Sequence, residues 1–308
     1  MNGQIESKFR RPDVSTRGLI LRALLRDRVT FSALLFVVVV VGASIGADYV
    51  TPHDPYAQSL MLRNEGLMTP AEEGFPHILG TDALGRDQLS RLIYASRISL
   101  AVGSASVLVS GVFGTVLGLL AGYYRGRVDD VVMRVVDVQM GFPSLLLALV
   151  ILYGVGPGFV NVVIVLAVTR WMAYARVTRS LMLSLRESPF VDAARATGCS
   201  DRRIIFRHML PNLMSPLLVL ATMEVATVIL TEASLDFLGL GIQPPESSWG
   251  LMLAQGRQYI TTAWWLVTFP GLTILLTTLS FNLLATWFRT ITDPVQRSRW
   301  LGVRSPRA

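Results

Sequence analysis

The chain has 308 residues, of which 52% are hydrophobic and 16% charged, and a mean hydropathy of +0.50. Soluble domains carry about 25% charged residues, so the deficit and the long apolar runs place it among integral membrane proteins. The net charge is +7, but the arginines are scattered between apolar stretches in no continuous stripe, which argues against a nucleic-acid partner. Cys199 is the only cysteine, which excludes an internal disulfide.

Residues 1–28 are polar and basic, with Lys8, Arg10, Arg11, Arg17, Arg22, Arg26 and Arg28. They read as a tail ending in a short interfacial helix. Residues 29–47 are uncharged and long enough to cross a bilayer about 30 Å thick. Ser44-Ile45-Gly46 offers a signal-peptide cleavage site, but the basic lead is too long for an ordinary n-region. An uncleaved first span is expected. Residues 48–97 form a polar loop in which Thr81 or Asp82 is expected to cap an amphipathic helix carrying Leu84, Leu89, Leu92 and Ile93.

Residues 98–288 read as the core. Its first uncharged run, 98–124, carries Ser106, Ser110, Gly114, Gly118 and Gly122 at every fourth position. That pattern puts small side chains on one helix face, where another helix of the same bundle can approach closely. A turn with Arg125, Arg127, Asp129 and Asp130 follows. The uncharged stretch 138–169 is too long for one span, and Gly154-Val-Gly-Pro-Gly158 divides it in two. Residues 213–231 and 265–288 supply the fifth and sixth spans. The loop 232–264 between them is rich in Gly, Pro and Trp. Its tryptophans suit interfacial anchors, and parts of it could instead dip inward or face a soluble protein. Residues 289–308 form a basic tail.

Orientation follows from basic-residue placement. With six spans, both tails and the 125–134 and 170–207 segments share one side, which holds 23 of the 28 arginines and lysines. Arg63, Arg86, Arg91, Arg97 and Arg257 lie on the other. The arginine-rich side, with both termini, is therefore expected to be cytoplasmic, and the 48–97 and 232–264 loops extracytoplasmic.

The 180–211 segment is unusual for a membrane protein because it is heavily punctuated. Ser188 suits an N-cap and Pro189 the first helical position. Asp192 sits where the helix dipole favours an anion. Ala193, Ala194 and Ala196 favour helix with little bulk. Gly198 suits a left-handed stop. Ser200-Asp201 can cap a second short helix that Pro211 would end. The pattern predicts helix, glycine corner, helix, with a small-residue face. On pattern alone it could dock another protein or lie on the lipid surface.

Asp192-Ala193-Ala194, Gly198 and Leu210-Pro211 resemble, in identity and spacing, the Glu-Ala-Ala loop of ABC importer permeases. The family's usual Glu is Asp192 here, which keeps the charge. The resemblance covers nearly the whole chain after residue 30. His77-Ile-Leu-Gly-Thr-Asp-Ala-Leu-Gly-Arg-Asp87 and the following Leu89-Ser-Arg-Leu-Ile-Tyr-Ala-Ser-Arg-Ile-Ser-Leu100 are similar to the first outer loop of the dipeptide/oligopeptide permeases, C subunit. So are Trp171 with Tyr174-Ala-Arg176, Arg207-His208-Met-Leu-Pro-Asn212, Phe237-Leu-Gly-Leu-Gly241, Ser248-Trp-Gly250 and Asp293-Pro294. The chain departs at Ala285-Thr286, where many relatives have Gly-Asp, and at Thr290, where Asp is common.

The resemblance implies an all-α integral membrane protein with six transmembrane helices of the type I ABC importer permease fold. It implies half of a translocation pathway, completed by a second homologous permease subunit in a bacterial plasma (inner) membrane. One or two ATP-binding subunits would dock below, one of them on residues 188–203, and an extracytoplasmic substrate-binding protein would deliver the solute. Coupling would fall to Ser188, Pro189, Asp192, Ala193, Ala194, Arg195, Gly198, Leu210 and Pro211. The outer motif is Gly80, Thr81, Asp82, Gly85, Arg86 and Asp87. Relatives with this signature move dipeptides, oligopeptides, glutathione, nickel chelates or small glycans, and peptide is the expected class.

A phosphate-binding Walker A loop needs a lysine after a glycine-rich turn. Lys8, the only lysine, lies in no such context. No cofactor is expected in this chain, and ATP and Mg would belong to the partner subunits. Asp82 and Asp87 could be imagined as an acid pair, but caps and pairing with Arg86 and Arg91 explain them. His53, His77 and His208 lie far apart along the chain in no metal-binding spacing, so no metal site is expected. No Gly-x-Ser-x-Gly elbow or other nucleophile–base set marks an enzyme. Asp137 follows Arg134 at pairing distance. Glu224, Glu232 and Arg170 fall within spans, where charge is costly and often functional. They could line the pathway, and Glu224 and Arg170 could equally pair with another subunit or snorkel. A proton-coupled secondary carrier would usually show more spans and an internal repeat, and neither is seen.

Overall fold

A computed structural model describes residues 24–71 and 74–292. Most of both basic tails, and Asp293-Pro294, lie outside the described residues. Within them the chain is helical, with two isolated β-bridges and no strand.

The first long helix, α1 (Arg28–Ile45), is set by Asp27, whose carboxylate accepts from the Val29 and Thr30 N–H groups. It buries only Thr30, Ala33 and Ser44, and exposes Leu35, Val38 and Val39. An apolar surface on a helix this long suits lipid contact.

Helix α2 (Gln88–Tyr124) contains the uncharged 98–124 run but starts ten residues earlier. Its cap is Asp87, which accepts from Ser90 N–H at 2.7 Å. Neither Thr81 nor Asp82 caps it, because a bridge between Thr81 and Asp87 holds 81–87 as a closed turn. The expected amphipathic helix is thus the opening of α2 itself.

The next span is bent. Helices α3 (Gly126–Met140) and α4 (Ser144–Val155) meet at 90° around Gly141-Phe142-Pro143. Proline cannot donate into the helical ladder and crowds the preceding turn. The 12 residues of α4 reach about 18 Å at 1.5 Å per residue, too short to cross alone. Among the described residues five helices are long and apolar enough to span, and the bent pair makes up to six. Gly156 and Gly158, both at positive φ, then turn the chain into α5 (Phe159–Arg186).

Helices α2 and α5 pack along the small-residue stripe. A Cβ on Gly118 would lie 2.6 Å from the Ala175 carbonyl oxygen, and one on Gly122 2.6 Å from Met182 Cβ. Ser106 Oγ donates to Val163 C=O across the same seam. The stripe is therefore used inside this chain, as helix association in lipid requires close backbone approach. Asp137 of α3 pairs with Arg176 of α5 at 2.7 Å, rather than with Arg134. The neighbouring helix offers Asp137 a closer partner than the i,i+3 position does.

After α5 come α6 (Pro189–Ala196), α7 (Leu210–Phe237), α8 (Trp249–Gly256) and α9 (Trp265–Thr292). Leu119, Leu152, Leu166, Met182 and Leu213 join α2, α4, α5 and α7 in one core. Ala95, Ile229, Trp249, Met252 and Ile274 join α2, α7, α8 and α9 in another. The loop 238–264 thus dips inward at α8. Trp249 is fully buried and donates through Nε1 to Leu92 C=O at 3.1 Å, so it is a core residue and not an interfacial anchor.

Gly118→Val is expected to destabilise the bundle by about 2–3 kcal/mol through overpacking, read as a lowered thermal midpoint in detergent, whereas the same change at the open Gly154 is expected to leave it within about 1 kcal/mol.

Candidate functional site

Ser188 occupies the N-cap position in extended conformation, and Pro189 opens α6. The Ser188 side chain makes no capping bond; its carbonyl accepts from Val191 N–H at 2.9 Å. The helix ends in a Schellman motif. Cys199 N–H reaches Ala194 C=O at 3.1 Å and Gly198 N–H reaches Arg195 C=O at 2.9 Å. Gly198 takes φ +79°, a conformation that costs other residues about 1–2 kcal/mol. Its glycine is thereby explained.

The helix has two faces. Val191 is fully buried, and Ala194 packs against the main core with Cys199. Phe190, Asp192, Ala193 and Ala196 are exposed. Asp192 faces Arg195 at 3.7 Å, with its side chain 70% exposed. The open face therefore offers an acid, an aromatic ring and two alanines.

A clamp ties α6 to the ends of α2 and α5. The guanidiniums of Arg186 and Arg195 lie 5.8 and 5.7 Å from the Tyr123 ring centroid, within cation–π range. The Tyr123 hydroxyl donates to Asp201. Arg125 and Glu187 form an exposed ion pair at 2.8 Å. Arg195 thus serves the clamp, while Ala193 and Ala196 remain open.

Beyond the Gly198 corner the chain turns into Asp201–Arg203, then a π turn over Ile204–Met209, then α7. The run from Asp201 to Phe237 is continuous. Pro211 does not end a separate helix, contrary to the sequence expectation. Leu210 N–H bonds to Ile205 C=O, five residues back. The widened turn just ahead of Pro211 absorbs the disruption that a proline brings to the ladder. Leu210 packs on the core and Pro211 is exposed at the start of α7. Neither belongs to the open face of α6, although α6 contacts the π turn.

Of Arg170, Glu224 and Glu232, the first two meet. Arg170 Nε of α5 lies 3.9 Å from Glu224 Oε2 of α7, and Arg170 also donates to Thr231 Oγ1 at 3.0 Å. Among the described residues Arg170 Nε and Glu224 Oε2 have no hydrogen-bond partner. Glu232 is fully buried beside Ser99, whose hydroxyl lies 3.4 Å from both carboxylate oxygens. One turn on, Asp236 accepts from Ile242 N–H at 2.6 Å and from the Ser248 hydroxyl. Glu232 and Asp236 together order the entry to α8.

At the opposite end from α6, the outer-motif residues fold the 48–87 loop onto the helix ends. Thr81 N–H donates to Glu65 C=O and Thr81 C=O accepts from Trp265 Nε1 at 3.2 Å. Gly80 packs against Trp265, and Gly85 against the Ser59 backbone. Asp82 accepts from Leu84 and Arg86 N–H and from the Arg86 side chain, with Arg91 Nε at 3.4 Å. Asp87 contacts His77 Nδ1 at 2.9 Å instead of an arginine. Arg97 donates to Asp48 and holds its carboxyl below the usual range.

Sequence reasoning missed the Tyr123 clamp, because the partners are 63 to 78 positions from Tyr123 along the chain. It also missed the meeting of His53 with His77. No local spacing signals either one.

This bundle, with a short exposed helix between α5 and α7, has the fold of an ABC transporter permease. A solved structure of the MetNI methionine ABC transporter, inward facing, has a TM-score of 0.53 at 21% identity, covering 67% of this chain and 98% of that one. Residues 114–298 match the family described as binding-protein-dependent transport system inner membrane component, and the chain belongs to that family. It is a multi-pass inner-membrane component of a transport system and not an enzyme. The di/tripeptide transport system permease protein DppC of Pseudomonas aeruginosa is 43% identical over 272 residues, 87% of this chain and 88% of that protein. The glutathione transport system permease protein GsiD of Pectobacterium atrosepticum is 42% identical over 279 residues, 90% of each. The dipeptide transport system permease protein DppC of Haemophilus influenzae is 40% identical, over 87% of this chain.

Tyr123→Leu removes the ring and hydroxyl of the clamp. Amide exchange across 189–203 is expected to quicken about tenfold, corresponding to a hydrogen bond to a charged group worth about 1.5 kcal/mol, while exchange in the α2–α5 seam stays unchanged.

Proposed function

We propose that this chain is one half of the translocation pathway of an ATP-driven peptide importer, coupled to separate ATPase subunits through α6. The single observation that carries the coupling role is the open Phe190-Asp192-Ala193-Ala196 face. It is built on a clamped helix joined through the Gly198 corner to the helical run that continues from Asp201 into α7. Small residues let a partner surface approach closely, and the acid gives it a charge to meet. The peptide assignment draws on relatives named for di/tripeptide, dipeptide and glutathione transport, and glutathione is itself a small peptide.

In this reading both termini and α6 face the cytoplasm, and the 48–87 loop with α8 faces outward, where a substrate-binding protein delivers the solute. A second homologous permease completes the pathway, and one or two ATP-binding subunits hold ATP and Mg. Closure of the ATPase pair moves α6, the π turn carries the motion into α7, and the spans open outward in alternating access. The Arg170–Glu224 pair joins α5 to α7 at mid-span, with one atom of each lacking a hydrogen bond among the described residues. It is the candidate for meeting a charged peptide terminus. Glu232 is fully buried beneath α8 and takes no part in that role.

Ala193→Arg fills the open face without touching the clamp. In proteoliposomes holding the whole transporter, ATP-dependent dipeptide uptake is expected to fall at least about tenfold, the effect of losing roughly 1.4 kcal/mol or more of docking energy, with the chain still folded. Uptake at the unaltered rate removes the coupling role. Dipeptide uptake that never exceeds background in the intact system removes the substrate reading alone.

A further inference from the structure

Spacing along the chain gave no reason to expect a metal site, because 24 positions separate His53 from His77. The fold removes that distance. The two imidazole rings lie with centroids 4.5 Å apart, tilted by 32°. His77 Nδ1 lies 2.9 Å from Asp87 Oδ1. One ligating atom from each of His53, His77 and Asp87 falls within 4.8 Å of the other two. His77 is 6% exposed and Asp87 2%.

We propose that His53, His77 and Asp87 form a binding site for a divalent transition-metal cation of the zinc class. A carboxylate–imidazole hydrogen bond accounts for His77 and Asp87 but leaves His53 unexplained. His53 Nε2 is shielded from solvent and has no partner among the described residues. A buried imidazole nitrogen left without a partner is costly, and a cation taking its lone pair removes that cost. Two nitrogen ligands and one carboxylate suit zinc and its first-row neighbours; calcium and magnesium prefer all-oxygen sets. Ligands about 2.0–2.1 Å from a tetrahedral zinc sit roughly 3.4 Å from one another, so side-chain shifts of about an ångström close the site. Three protein ligands leave the fourth position for water.

The positions of the ligands are built in. Thr69 and His77 form a β-bridge, and Thr81 and Asp87 another. Asp87 Oδ2 accepts from Ser90 N–H, and Ser90 Oγ accepts from His53 N–H at 3.1 Å. The α2 cap thus orients the carboxylate and holds the His53 backbone beside it, the supporting hydrogen bonds that metal sites need. A cation there would pin the segment after α1, the bridged loop and the first turn of α2 to one point. Its effect is to brace the loop end of the bundle, opposite α6.

The test uses the purified full chain in detergent, with any affinity tag removed, titrated calorimetrically with Zn2+ alone and by visible absorption with Co2+. Saturable binding of one Zn2+ per chain is expected, with a tetrahedral Co2+ spectrum and a thermal midpoint raised by several degrees. His53→Gln removes one ligand, and Asp87→Asn removes another while keeping a good N-cap. Both are expected to weaken Zn2+ binding about a hundredfold or more and to abolish the midpoint rise, while unfolding like the wild type in chelator. No saturable binding to the wild type overturns the proposal. So does binding that His53→Gln leaves unchanged, which places the cation elsewhere on the chain.

Discussion

The close contact between α2 and α5 is the constraint on which the rest of the molecule depends. In hydrocarbon, helices gain nothing by hiding apolar surface from one another, so tight association needs backbones that can touch. Gly114, Gly118 and Gly122 permit this at successive turns against Trp171, Ala175 and Met182. Both ends of the molecule are then fixed by the same pair. Beyond Gly122 the seam delivers Tyr123 to Arg186, and so creates the clamp that holds α6. At the other end α2 presents Asp87, Ser90 and Arg91 to the folded loop.

Charge within the spans obeys a second rule, that buried ions need partners. Asp236 is met by Ser248 and the Ile242 N–H, and Glu232 by Ser99. These groups shape the entry to α8. Arg170 and Glu224 differ, since their separation of 3.9 Å is long and each keeps an atom without a hydrogen bond among the described residues. A pair that is loosely satisfied is the kind that can change partners during a transport cycle.

Much of the architecture could be read from the sequence because it rests on local chemistry. The Gly154–Gly158 break, the α6 start at Pro189 and the Gly198 stop each follow from backbone preferences of the residues involved. The small-residue stripe announced its own contact by a four-residue period. What could not be read depends on distant partners. Asp87 rather than Asp82 caps α2 because a bridge to Thr81 decides it. Pro211 passes inside a continuous helix because the π turn before it widens the ladder. Trp249 is core rather than interface because α8 folds inward. His53 and His77 meet only once the loop has closed.

In the proposed coupling, α6 would move α7 through the Gly198 corner and the helix that runs unbroken from Asp201 onward. The direct measurement inserts three glycines between Arg203 and Ile204 in the fully assembled, reconstituted transporter, and follows ATP hydrolysis and solute uptake together. The account predicts that hydrolysis continues while uptake is lost, because the docked helix no longer pulls on the span. Uptake that stays in step with hydrolysis after the insertion would contradict it.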